Sequence, residues 1–162
     1  MTKRLVVDTS VVLHLLLPEP REGQEEGWSE ARELLKISDE DWVLAIATPA
    51  AGEVLAGVPA RSREDVAEFI EQNFEILDLN WDAAKEVGKI ATKGLRGRRG
   101  EKQRVKVDIE IVGCAVAWGA AGLCALDGDH DRIVERNGLD LLVGPPSAFS
   151  PKQEELTFSS DE

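Results

Sequence analysis

The chain lacks the cysteines, the long apolar runs and the positive charge that mark several common protein classes. It has two cysteines, Cys114 and Cys124, ten residues apart and in no CxxC pattern. That excludes a disulfide framework and a zinc ribbon, and two buried, reduced thiols are expected. No stretch reaches the ~18 apolar residues of a membrane span. Residues 1–4 are largely polar, and Asp8 and His14 interrupt the apolar run that follows. No signal peptide is therefore expected, and the predicted location is cytoplasmic. The net charge of −12 argues against a general coating of nucleic acid. Trp28, Trp42, Trp81 and Trp118 are scattered, which suits core or interface positions better than a base-stacking platform. No His-Asp pattern accompanies Ser10, so a serine nucleophile is disfavoured.

What is present is a chain of 162 residues, 43% of them apolar, enough for one domain with a full core. The charge is uneven. Between Gly94 and Lys106 stand Arg96, Arg98, Arg99, Lys102, Arg104 and Lys106 against the single acid Glu101, a net +5 that leaves −17 on the remainder. Gly94, Gly97 and Gly100 punctuate this segment, which reads as a loop or frayed helix end able to grip phosphates adaptably.

Apolar and turn patterning predicts strands near residues 4–7, 42–47, 74–79, 123–126 and 139–143. Helices are expected between them. One covers 11–17, capped by Thr9 or Ser10, after which 21–27 is a charged loop. Ser29 caps the next helix, and another covers 50–56. Ser62 and Asp65 resemble a capping box, and Asn80 caps a further helix. Asp108 opens the most apolar helix, which Gly122 stops, and a short helix covers 133–136. This alternation predicts an α/β fold: a three-layer sandwich around a five-stranded, mostly parallel sheet. The domain is expected over residues 1–146, with 147–162 a polar, acidic tail or arm.

Four carboxylates stand where apolar runs stop. Asp8 follows Leu5-Val6-Val7, Glu53 follows the run from Val43, Asp108 precedes Ile109, and Asp127 follows Leu123-Cys124-Ala125-Leu126. In parallel sheets, sites form at the carboxyl ends of strands near the switch in strand order. Brought together there, the acids would make an oxygen-rich site for a hard cation, Mg²⁺ or Mn²⁺. Such a site points to phosphoryl-transfer chemistry, a nuclease above all.

The pieces Val6-Val7-Asp8-Thr9-Ser10, Thr48-Pro49-Ala50-Ala51-Gly52-Glu53-Val54-Leu55, Val107-Asp108-Ile109 and Leu126-Asp127-Gly128-Asp129 come in an order that resembles the PIN domain, over roughly residues 4–144. The resemblance implies a metal-dependent endoribonuclease that leaves 5′-phosphate and 3′-hydroxyl ends, as in the toxins of VapC-type toxin–antitoxin pairs. It implies Asp8, Glu53, Asp108 and Asp127 as catalytic acids, and Mg²⁺ or Mn²⁺ as cofactor. Asp8, Asp108, Asp127 and Asp129 are the expected ligands, with Ser10 and Thr9 supporting them. RNA is the implied substrate, contacted through the basic segment. A small antitoxin and a second copy of the chain are implied partners, with Trp28, Leu34 and Leu35 candidate surface residues. The chain departs from the family where Ala125 replaces a usual Thr or Ser and where His130 replaces a usual aromatic. Asp127 and Asp129 therefore compete for the fourth ligand position, and His130 becomes a candidate for touching metal or substrate.

Bland readings stand beside these. Asp8 can be a helix cap, Asp108 a dipole partner of its helix, and Asp129 and Asp131 turn residues next to Gly128. His14 is expected to pack, and Glu110 to be solvated. The alternatives are an RNA-processing PIN nuclease outside toxin–antitoxin systems and a catalytically silent PIN-fold binding protein. A phosphoryl-accepting receiver domain needs an acidic pair after strand one, where Asp8 is followed by Thr9. A dehalogenase-type phosphatase needs an aspartate where Ser10 stands.

Overall fold

The computed structural model describes residues 2–37, 41–92 and 99–149, with 99–104 described only by their place in a helix. Among the described residues five strands form one sheet: β1 (Lys3–Val7), β2 (Trp42–Ala47), β3 (Glu75–Leu77), β4 (Gly122–Cys124) and β5 (Leu142–Gly144). Their order is β3-β2-β1-β4-β5 and every pairing is parallel. Among the described residues the α-helices are α1 (Thr9–Leu15), α2 (Glu25–Lys36), α3 (Thr48–Gly57), α4 (Arg63–Asn73), α5 (Trp81–Ala91), α6 (Arg99–Ala117) and α7 (His130–Asn137). None is long and apolar enough to cross a membrane. The expected fold class is the observed one, with a sheet that is parallel throughout.

The central strand explains its own sequence. Leu5, Val6 and Val7 are wholly buried, because helices cover both faces of a parallel sheet and leave no polar side for alternation. From β1 the chain steps outward to β2 and β3, then returns to the other side of β1 as β4 and β5. The switch in strand order therefore lies between β1 and β4, where a crevice opens at their carboxyl ends. At the opposite end of the sheet, Arg4 reaches across β2 to grip both oxygens of Glu75 at 2.9 Å and also donates to the Trp118 carbonyl. Its half-exposed ion pair contributes at most about 1 kcal/mol.

Several local expectations need correction. The charged stretch expected as a loop is helical from Glu25, with Glu25 and Glu26 in the first turn of α2, where negative charge suits the helix dipole. Ser29 consequently lies inside that helix and does not cap it. Ser62 makes no side-chain cap, whereas Asn80 does, accepting from the Ala83 N–H at 3.0 Å. The basic segment, where described, is helix from Arg99 onward, so Asp108 stands in the middle of α6 and not at its start. Packing against α5 holds the later part of this helix. A Cβ on Gly113 would lie 2.6 Å from the Val87 side chain, 3.2 Å from its backbone nitrogen and 3.3 Å from the Ala83 carbonyl. The two helices thus meet backbone to backbone.

Gly122 does not stop α6. It belongs to β4, where Phe149 and Leu5 crowd its face. Phe149 is itself buried and meets Trp42 edge to face at 5.5 Å, so the packed core runs three residues past the boundary expected at 146. Residues 150–162 of the expected tail lie outside the described residues. Cys114 and Cys124 are free and buried. Burial raises both thiols, Cys114 to about 12, which makes them inert.

Candidate active site

The four acids converge on the crevice at the strand switch. Asp8, Glu53, Asp108 and Asp127 line one cavity of about 390 Å³ together with Thr9, Ser10, Leu13 and Gly128. Each arrives from a different element. Asp8 leaves β1 and Asp127 follows β4, one on each side of the switch. Glu53 comes from the second turn of α3, and Asp108 from the middle of α6.

Asp8 is the most constrained of the four. Its N–H donates to the Cys124 carbonyl at 2.8 Å, carrying the β1–β4 ladder one residue further. Its side chain caps α1, accepting from the Ser10 N–H at 3.2 Å and the Ser10 hydroxyl at 2.8 Å. The expectation that Thr9 or Ser10 caps this helix is therefore corrected: Asp8 is the cap, and the two hydroxyls are spent elsewhere. Ser10 Oγ also accepts from the Leu126 N–H at 3.1 Å, which ties the turn after β1 to the segment bearing Asp127. Thr9 Oγ1 donates to Glu53 Oε1 at 3.0 Å and so anchors an otherwise exposed glutamate. Ser10→Ala should cost about 1–3 kcal/mol, because the Leu126 N–H loses its acceptor in a part-buried place. Chemical denaturation of the variant and the parent protein measures this.

A residue weighted little by sequence is central here. His130 is 1% exposed, and its Nε2 lies 3.4 Å from Asp8 Oδ1 and 3.3 Å from Asp108 Oδ1. The ligand atoms of Asp8, Asp108 and His130 all fall within 4.8 Å of one another. Neither ring nitrogen makes a hydrogen bond of acceptable distance and angle. The ring lies against Gly128, whose φ of +100° suits glycine alone and whose missing Cβ would sit 2.7 Å from the imidazole Cε1. A signal for this existed. His130 replaces an aromatic in the PIN pattern, and such a position is a buried one.

Asp127 and Asp129 separate. Asp127 lines the cavity, whereas the Asp129 carboxylate pairs with Arg132 at 3.4 Å and the Asp129 N–H donates to Asp108 Oδ2 at 3.4 Å. Of the basic positions, Arg96 and Arg98 lie outside the described residues. Arg99, Lys102 and Arg104 occupy α6 in the turns before Asp108, and Lys106 is exposed on the same helix. Leu34, a candidate for a partner surface, is wholly buried. Trp28 is half-buried, stacks under Arg32 and donates to the Leu17 carbonyl. Leu35 is half-buried against the core.

The electrostatics are those of an acid cluster short of positive charge. Burial raises Asp108, and Asp8 and Asp129 add to the rise, with His130 opposing it. Burial also raises Glu53, against the Thr9 hydrogen bond and with the charges of Asp8, Asp108 and Asp127. Burial works to raise Asp8 as well, but His130 and the Ser10 donors outweigh it and hold Asp8 below the ordinary range. Burial works to lower His130 and is outweighed by Asp8, Asp108 and the Asp127 carbonyl, so the ring is held above its ordinary value.

The raised groups stabilise the fold at low pH and lose that contribution as pH rises through their shifted values. Asp8, being lowered, contributes above its ordinary pKa and loses its contribution only in acid. His130 loses its contribution as pH rises from the ordinary histidine value, about 6.5, through its raised one. The melting temperature in EDTA should therefore decline over this range, and the decline should flatten in His130→Gln. A thermal melt series in matched buffers checks both.

No family model matches the chain, and no curated protein matches it in sequence. Solved structures do match in fold. VapBC2 from Rickettsia felis, determined with a DNA fragment from its promoter, aligns with a TM-score of 0.63 at 16% identity, over 88% of this chain and 98% of that one. VapC20 from Mycobacterium tuberculosis, a toxin that cleaves the sarcin–ricin loop, aligns with a TM-score of 0.58 at 16% identity, over 79% and 93%. DNA-bound VapBC from Salmonella typhimurium aligns with a TM-score of 0.56 at 20% identity, over 90% and 99%.

Proposed function

We propose, from the premise that this chain has the PIN-domain fold of the VapC toxins, that it is a divalent-metal-dependent endoribonuclease and the toxin of a type II toxin–antitoxin pair. The observation that carries this reading is the convergence of Asp8, Glu53, Asp108 and Asp127 on one cavity at the strand switch. The residues fit a metal. Burial first, and the charge of neighbouring carboxylates with it, raises Asp108 and Glu53, and a cation offsets both. Asp8 and Asp108 would hold Mg²⁺ or Mn²⁺, with Asp127 closing the set and Asp129 kept beside Arg132. The ion, when bound, supplies Lewis acidity toward a phosphodiester.

The side chains have distinct tasks. Ser10 orients Asp8 through two hydrogen bonds and leaves its other oxygen toward the cavity. Thr9 holds Glu53 by Oε1, so Oε2 takes a proton from attacking water. A carboxylate held above its ordinary value is the better base for that step. The basic positions of 96–106 would steer the RNA backbone toward the acids, in an otherwise acidic molecule.

A second cavity, of about 680 Å³, adjoins the first and shares Ser10, Leu13 and Asp127 with it. Leu13, Leu16, Val58 and Val66 give it an apolar wall, and Arg21 and Gln24 a polar margin. It would seat an antitoxin segment whose end reaches the acids. The test is cleavage of RNA by the purified chain with Mg²⁺ or Mn²⁺, by the same chain in EDTA, and by Asp8→Asn and Asp108→Asn. Metal-dependent cleavage lost in both variants supports the reading. Equal activity in all preparations overturns it, and metal binding without cleavage would favour a silent binding protein.

A further inference from the structure

We propose that His130 Nε2 is itself a metal ligand, which makes this a mixed nitrogen–oxygen site that prefers Mn²⁺ to Mg²⁺. The inference rests on the metal-dependent reading above and adds a ligand that the four acids do not include. Three observations carry it.

The first is placement. Nε2 stands 3.4 Å from Asp8 Oδ1 and 3.3 Å from Asp108 Oδ1. Adjacent donors around a six-coordinate ion stand about 3 Å apart, given metal–donor distances near 2.1 Å. Both nitrogen–oxygen separations are thus close to what an ion between the donors requires, and all three ligand atoms lie within 4.8 Å of one another.

The second is the state of the ring. It is 1% exposed, yet neither nitrogen has a hydrogen bond of good geometry. A buried polar atom without a partner costs free energy. An imidazole with its needs met would close to full hydrogen-bond geometry on the Asp127 carbonyl that bears on it. This one points Nε2 at two carboxylates and rests its other edge on Gly128, a residue whose backbone conformation and lack of a Cβ make the room for it.

The third is charge. Four carboxylates exceed what one divalent ion neutralises. A bound ion would displace any Nε2 proton, and the neutral imidazole then adds a donor atom without deepening the repulsion. Imidazole is also the ligand that separates the candidate ions. Mg²⁺ favours oxygen donors, and affinity for nitrogen donors rises along the first-row transition series from Mn²⁺.

Pulsed EPR of Mn²⁺ bound to the full chain tests this, with isothermal titration of Mn²⁺ and Mg²⁺ alongside. The chain has two histidines, so the assignment is simple. The expected result is a nitrogen coupling of directly ligated imidazole in the parent protein. It should be kept in His14→Gln and lost in His130→Gln. The titrations should show the Mn²⁺ over Mg²⁺ preference narrowing in His130→Gln by at least the roughly 10–100-fold that supporting groups around a metal command. The measurement on the parent protein stands even if a His130 variant does not fold. Mn²⁺ bound with no nitrogen coupling would overturn the inference while leaving the acid-bound metal intact. No Mn²⁺ binding at millimolar concentration would overturn both.

Discussion

Asp8→Asn should reduce RNA cleavage by at least about 10²–10³-fold, the scale seen when one electrostatic contact to a transition state is removed. The substitution is informative because it keeps the helix cap. Asn caps helices as well as Asp does, so its side-chain oxygen can still accept from the Ser10 N–H and hydroxyl. What it removes is the negative charge at the centre of the cluster, 5% exposed and facing Asp108 and His130. A folded, inactive Asp8→Asn protein therefore isolates the chemistry. Asp8→Ala would lose the cap as well, about 1 kcal/mol, and confuse the two effects. Asp108→Asn should act like Asp8→Asn. Glu53→Gln should act less severely, because Glu53 is exposed, held by one hydrogen bond, and replaceable by a bulk water in proton transfer. Single-turnover cleavage assays with melting curves on each variant decide the ranking. Parent-like cleavage by a folded Asp8→Asn would sink it.

Gly113→Leu should destabilise the chain by about 3 kcal/mol and disturb the site from a distance. Even Ala is opposed at this position. Glycine costs roughly 1 kcal/mol in a helix interior relative to Ala, so Gly113→Ala begins with that gain. Its Cβ then meets the Val87 backbone nitrogen at 3.2 Å and the Ala83 carbonyl at 3.3 Å. Backbone atoms of a neighbouring helix cannot rotate away as a side chain can. Overpacking of this kind costs about 1–3 kcal/mol, which offsets or exceeds the gain. Leu adds three more carbons with no further propensity advantage, so α5 and α6 must separate. A loss of this size lowers the melting temperature by about 6–12 °C in a chain this long. Because α6 also carries Asp108, metal affinity should fall with it, which Mn²⁺ titration measures. A Leu variant as stable as the parent would mean that the two helices do not meet as closely as described.

Much of this was legible in the sequence, and for physical reasons. Strands buried on both faces write themselves as apolar runs, so Leu5-Val6-Val7 and the run from Val43 stood out. Acids at the ends of such runs mark the carboxyl edge of a parallel sheet, and Asp8, Glu53, Asp108 and Asp127 do meet there. The failures share one cause, which is that tertiary contact overrode local pattern. Three glycines near the basic segment signalled a loop, but α6 runs from Arg99 and puts Asp108 in mid-helix. Thr9 and Ser10 are good caps, but the ladder bond from the Asp8 N–H to Cys124 places Asp8 at the cap position instead. Phe149 follows two prolines, and only the space over Gly122 shows that it belongs to the core. Asp127 and Asp129 differ only in three dimensions, where Asp127 lines the cavity and Asp129 pairs with Arg132 in the first turn of α7.

The two outer strands have a consequence of their own. β3 and β5 each border the sheet and each is three residues long, with Ile76 and Leu142 exposed on them. An edge this short offers few unpaired backbone groups, which guards against edge-to-edge aggregation. It equally denies any visiting polypeptide a template on which to lay an extra strand. A protein that recognises this chain must do so by fitting side chains against its helices and hollows, and its specificity will be written in shape and charge, not in backbone ladders.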